Sequence, residues 1–183
     1  LAPVIARTLD LAAITARDLD VIVVGVGPGP FTGLRVGIMS ARVMGEVWDI
    51  PVHGICSLDA LAAQAVGERT VSSSFAVATD ARRKEVYLAR YDASGSRVGG
   101  PEVVRPEDVP DSVARGPVVG QGAVLYPDPF VDARAPEYVR PDWLARVAVA
   151  MWQRGDRLGD STPLYLRRPD AVANAGRKRV STR

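Results

Sequence analysis

Histidine and cysteine occur once each in 183 residues, and this scarcity excludes several chemistries. Cys56 cannot close an internal disulfide, so a small disulfide-stapled scaffold is ruled out. A zinc or iron centre wants three or four clustered His, Cys or carboxylate ligands, and one histidine plus one cysteine does not fill it. Nucleophilic hydrolysis by Ser or Cys needs an activating base, usually histidine. The only one, His53, lies three residues before Cys56 in a predicted strand, a spacing that sends the two side chains to opposite faces. An excess of one charge is missing too: 23 Lys and Arg stand against 21 Asp and Glu, for a net +2. There is no global field for gripping a polyanion, so nucleic-acid contact would need a local patch. No run of ~18 apolar residues is present to span a bilayer, and a reducing cytoplasm is the expected compartment. A methionine start and a signal segment are also lacking, so the chain is expected to begin inside a longer protein.

Hydrophobic residues make up 47% and charged residues 24%, a balance that suits a folded globular chain of one domain or two small lobes. Leu1, Ile5, Leu9 and Ala12 recur at helical spacing, and Thr15 to Asp18 has the form of a capping box around one short turn. Val21 to Val26 is a continuous β-branched run, which predicts a buried strand of a parallel sheet. A Gly/Pro turn follows, then a helix from Leu34 to about Trp48 with Thr32 as N-cap. Val52 to Cys56 reads as a strand, and Ser57 as the cap of a helix from Leu58 to about Val66. This β-α-β-α order predicts an α/β fold with parallel strands. From Ser72 the pattern changes. Phe75 to Thr79 and Glu85 to Tyr91 predict a hairpin joined by a charged turn and opening a second lobe. Eight of the fourteen prolines lie between Pro101 and Pro141, so that stretch is expected to be mostly loops around a short strand at Val118 and Val119. Trp143, Val147, Ala150 and Met151 define a last helix.

A glycine turn between strand and helix can cradle phosphate on backbone N–H groups. Here Pro28 and Pro30 have no N–H to donate, and no Gly-Lys-Ser/Thr sequence supplies a Walker lysine. The dinucleotide fingerprint fails as well, because Pro30 and Phe31 occupy its spacer. Gly27, Gly29, Thr32 and Gly33 are therefore expected to form a structural turn that sets the helix angle. On the next helix Gly37, Ala41 and Gly45 recur every fourth residue, leaving a stripe almost free of side chains. It suits close packing on the chain's own sheet or a contact with another subunit, and the spacing does not choose. Arg82, Arg83 and Lys84 form a cationic turn, and Arg167 to Arg183 holds six basic residues against Asp170 alone. Each suits a solvated surface or a contact with phosphate or RNA.

Four separated blocks carry a family resemblance: GVGPGPFTGLRVG at Gly25 to Gly37, IPVHGICSLDALAAQ at Ile50 to Gln64, TDARRKEVYLARY at Thr79 to Tyr91, and PLYLRRPDA at Pro163 to Ala171. In this order and spacing they resemble the family called TsaB or YeaZ. The resemblance implies the two-lobed actin-like, sugar-kinase and Hsp70-like (ASKHA) fold, with lobes at residues 1–70 and 71–169 and a basic tail at 170–183. It implies a non-catalytic scaffold and activator for TsaD, the catalytic paralogue that, with the ATPase TsaE, transfers threonylcarbamoyl to adenosine of transfer RNA. No catalytic residue, metal or cofactor is then expected on this chain; ATP would be bound by partner subunits, tRNA would be reached through the complex, and no membrane would be involved. Family members pair with TsaD, or with themselves, through the first two helices of the amino-terminal lobe. On this sequence those helices offer Leu1, Ile5, Leu9, Gly37, Ala41, Met44, Gly45 and Trp48. Three departures stand out. Pro30 replaces a more usual Ser, and the bulky Ala81 to Lys84 turn replaces a glycine-rich second phosphate turn. The opening β-meander with its first phosphate loop has no counterpart, so the amino-terminal strands are expected to be missing and the strand at Val21 to Val26 to have an open edge. Rival readings are an ATP-dependent enzyme of the same fold, a glycoprotease-like peptidase, and an RNA-binding module.

Overall fold

The computed structural model describes residues 1–167, in which the β-branched runs build two separate sheets. The first holds β1 (Ile22–Gly27) and β2 (Val52–Cys56), paired in parallel from Ile22↔Val52 to Gly25↔Ile55. The second holds β3 (Phe75–Asp80), β4 (Val86–Tyr91), β5 (Arg97–Val104), β6 (Pro117–Val119) and β7 (Asp132–Arg134), in the order β5-β4-β3-β6-β7. β3, β4 and β5 form an antiparallel meander, and β6 and β7 run parallel to β3. The first sheet has the parallel pair without such a meander. Among the described residues no second strand pairs with β1, so its other edge is open.

Among the described residues six α-helices surround the sheets: α1 (Ala2–Ala12), α2 (Phe31–Trp48), α3 (Ser57–Gly67), α4 (Asp111–Ala114), α5 (Gln121–Leu125) and α6 (Pro141–Gln153). α3 explains how the lobes join. Its sequence, SLDALAAQAVG, is apolar almost all round, as a helix buried on several sides must be. Leu58, Leu61, Ala62 and Ala65 pack with Phe75, Val77, Tyr91 and Val119 of the second sheet, while Ala60 packs with Ile55 and Ala148 beside Val23, Leu144 and Met151. The alternation of β3 sends Ala76 and Ala78 to the other face, into a second cluster with Val86, Leu88, Val118 and Phe130. Buried Gln64 is bonded at both ends: its carbonyl oxygen accepts from the Arg140 N–H at 2.9 Å and its amide donates to Glu68 at 3.2 Å.

Several sequence expectations need correction. α2 begins at Phe31 with Pro30 in the cap position, so Thr32 lies inside the first turn and is not the N-cap. α3 begins at Ser57, with Cys56 in the cap position. β1 is fully buried only at Val26 and Gly27, since one edge has no strand beside it. α6 packs on α3 and on β1 and β2 of the first sheet. The capping box holds: Thr15 and Asp18 cap each other's backbone around a 3-10 turn at Ala16–Asp18, and these bonds draw the Asp18 carboxyl below its ordinary range. The basic tail at 170–183 and the end of the PLYLRRPDA block lie outside the described residues.

Candidate functional site

Two features offer themselves as sites: a cleft between the lobes and the outer face of α2. The cleft, about 390 Å³, is lined on one side by Gly29, Pro30 and Phe31, on another by Asp80 to Arg83 and Tyr87, and is closed by residues 164–167. Of the expected turn glycines, Gly27 is the one that backbone geometry requires. Its φ is +99°, and a Cβ there would stand 3.1 Å from Leu34 and 3.4 Å from the Leu164 carbonyl. Gly29 and Gly33 face open space instead. Pro28 and Pro30 leave the turn with few N–H donors, so its backbone is a poor phosphate cradle.

The opposite wall is more unusual. Arg82, Arg83 and Lys84 all have positive φ, at 61°, 57° and 59°, a conformation that costs an L-residue roughly 1–2 kcal/mol. The turn is held from both ends. The Ala81 N–H donates to the Glu85 carbonyl at 2.9 Å and the Glu85 N–H to the Arg82 carbonyl at 3.0 Å, while Asp80 accepts from the Arg82 N–H at 2.8 Å. Arg82 also pairs with the Asp80 carboxylate at 3.2 Å. Arg82 and Arg83 line the cleft and Lys84 does not. Burial, with Asp80 second, pushes the Tyr87 phenol up.

α2 is apolar on two faces. Ile38, Ala41 and Gly45 are buried on its inner face, and a Cβ on Gly45 would collide with Val52 and stand 3.0 Å from the Ile50 carbonyl. Within the small-residue stripe Ala41 and Gly45 are packed on the chain itself, and Gly37 faces open space. Val36, Met39, Val43 and Val47 stand 53%, 54%, 57% and 72% exposed. At about 100° per residue this set falls opposite the inner one. Met44 and Trp48 sit half-buried on its flank. α1 buries no residue: Ile5 and Leu9 are half-buried and Leu1, Val4 and Leu11 exposed. The outer stripe is legible in the sequence as an apolar i, i+3, i+7, i+11 pattern on the side of the helix away from the small-residue stripe.

The nucleophile candidates are engaged otherwise. The Arg97 guanidinium donates to Cys56 Sγ at 3.8 Å and lies 3.6 Å from Asp59, which also accepts from the Tyr91 hydroxyl at 2.8 Å. Burial first, and the Asp59 charge second, push both the Cys56 thiol and the Tyr91 phenol up. His53 is half-buried in β2. Among the described residues no group of three or more His, Cys, Asp or Glu could hold a metal ion, and no helix is long and apolar enough to cross a membrane.

Comparison with known proteins places this architecture. The family model described as TsaD, tRNA N6-adenosine threonylcarbamoyltransferase, matches residues 1–129. An uncharacterized protein of Mycobacterium tuberculosis is 44% identical over 173 residues, spanning 93% of this chain and 75% of the relative. The Escherichia coli tRNA threonylcarbamoyladenosine biosynthesis protein TsaB is 28% identical over 134 residues, or 69% of this chain and 58% of that protein. Among solved structures, YeaZ from Pseudomonas aeruginosa superposes with a TM-score of 0.77 at 30% identity, covering 91% of this chain and 83% of that one. With the α/β lobes and the four sequence blocks in agreement, the chain belongs to the TsaD family and, within it, to the TsaB/YeaZ group.

Proposed function

We propose that this chain is a non-catalytic scaffold subunit in the biosynthesis of threonylcarbamoyladenosine in tRNA, and that the outer face of α2, together with α1, seats the catalytic paralogue TsaD. The observation that carries this reading is the doubly apolar α2. One face covers the chain's own sheet, while Val36, Met39, Val43 and Val47 form a second apolar stripe in solvent. A monomer gains nothing from that stripe, whereas a helix–helix interface buries it. Relatives named tRNA threonylcarbamoyladenosine biosynthesis protein TsaB, in E. coli and Bacillus subtilis, support the pathway. The single histidine supports a scaffold over a metal-dependent transferase. Two copies pair through the same self-complementary face when TsaD is absent. TsaE joins through the complex, in the cytoplasm, and tRNA is contacted indirectly.

The test is size-exclusion chromatography with light scattering on the chain alone and mixed with TsaD, alongside the double variant Met39→Asp, Val43→Asp. Two carboxylates in the stripe should weaken the complex by more than about 100-fold while leaving the far-UV spectrum unchanged. Unaltered complex formation by the double variant would sink the assignment of this face.

A further inference from the structure

Residues 159–167 are neither helix nor strand, yet they touch both lobes. At the edge of β2 the Gly54 N–H donates to the Gly159 carbonyl at 3.0 Å in an antiparallel bridge, and a Cβ on Gly54 would collide with the Asp160 carbonyl and Val26. Ser161, 9% exposed, accepts twice from Arg42 of α2, at 2.9 Å on its hydroxyl and 2.8 Å on its carbonyl. The Leu164 N–H donates to the Val26 carbonyl at 2.8 Å. The Tyr165 ring lies 5.6 Å from that of Phe31, and its hydroxyl accepts from Arg35 Nε at 2.8 Å. The Arg35 guanidinium covers the Phe31 ring at 3.9 Å. Arg167 then crosses to the second lobe, where it donates to the Ala81 carbonyl at 3.3 Å and pairs with Glu85.

We propose that segment 159–167 is a latch that closes the inter-lobe cleft and, by gripping α2 at Arg35 and Arg42, holds its outer face in the setting a partner helix meets. Arg35 and Arg42 are two helical turns apart, and Val36 and Met39 lie between them. Their planar guanidinium groups fix direction as well as distance. The far end of the latch holds the strained turn at Arg82 to Lys84, so the segment links α2 to the second lobe. By linkage, whatever binds the outer face of α2 in this setting tightens the latch, and loosening the latch weakens that binding by the same factor. This last step rests on the interface proposed above; the grip of the latch on α2 does not.

Hydrogen exchange read by mass spectrometry, on the chain alone, separates the two. In the double variant Ser161→Ala, Tyr165→Phe, which removes two acceptor hydroxyls and leaves α2 untouched, exchange should rise about tenfold in 159–167 and also in 35–47, with β3 and β4 still protected. Gly54→Ala, which displaces the segment from the opposite side, should do the same. Faster exchange in 159–167 with α2 unchanged would overturn the latch, and so would no change in either segment. With TsaD added, the double variant should bind about 5–20-fold more weakly. Unchanged affinity alongside a loosened α2 removes only the linkage, whereas failure of the unaltered chain to bind TsaD removes only the proposed interface.

Discussion

Arg42 donates from Nε to the Ser161 hydroxyl at 2.9 Å and from Nη2 to the Ser161 carbonyl at 2.8 Å, joining α2 to a segment 119 residues further along the chain. Only a planar fork satisfies both acceptors at once. Because Ser161 is buried, both oxygens depend on Arg42, and the side chain acts as a tertiary tie although it reaches solvent.

Arg42→Ala leaves those two acceptors buried without the partner. The expected loss is about 1–3 kcal/mol, which lowers the melting temperature by roughly 2–10 °C in a domain of this size. Arg42→Lys should recover only part, because one ammonium does not reproduce the fork. Calorimetric melting of the three proteins checks the order; an alanine variant that melts with the parent would show that the tie is weak.

Gly37 and Gly45 share a helix and should respond in opposite senses. A Cβ at Gly37 meets nothing within 4 Å, whereas one at Gly45 collides with Val52. Gly37→Ala should therefore stabilise the isolated chain by about 0.5–1 kcal/mol through helix propensity. Gly45→Ala should destabilise it by about 1–3 kcal/mol through overpacking. Urea denaturation measures both, and equal effects at the two positions would mean that Gly45 does not pack on β2.

Lys84 sits at φ 59°, where glycine carries no Cβ penalty. Lys84→Gly should raise stability by about 0.5 kcal/mol, the relief of left-handed strain exceeding the added entropy of the unfolded chain. Lys84→Val, β-branched and worse suited to that conformation, should lower it. A glycine variant less stable than the valine variant would show that the turn is unstrained.

How much of this was legible in the sequence varied with the range of the force involved. Strands with a local signature emerged within a residue or two: the β-branched run became Ile22–Gly27, and the hairpin Phe75–Asp80 and Val86–Tyr91. The Thr15–Asp18 box was legible because its partners are three residues apart. The place of α6 was not, because sequence order says nothing about a helix that returns to the first sheet. Residues 159–167 were opaque for the same reason: their partners, Gly54, Arg42, Val26 and Ala81, are all distant in sequence. At the site, spacing marks the small stripe of α2 but not that Val52 fills its end, nor which of the helix's apolar faces the sheet covers, because both depend on residues distant in sequence.

Cys56 tests the electrostatics of the α3 amino terminus. Its thiol is pushed up mainly by burial and next by the Asp59 charge, with the nearby Arg97 guanidinium acting in the opposite sense. A raised value means less thiolate at any given pH, so alkylation by iodoacetamide should be slow at neutral pH and reach its midpoint above the ordinary thiol range near ~8.5. Asp59→Asn removes the second cause and frees Arg97 from its 3.6 Å contact, so the midpoint should move down. It should not fall below the ordinary value, because burial, the larger cause, remains. Rate–pH profiles of parent and variant decide it: a parent midpoint below the ordinary range would show that helix N–H groups and Arg97 outweigh burial, and the cluster would then be a reactive site.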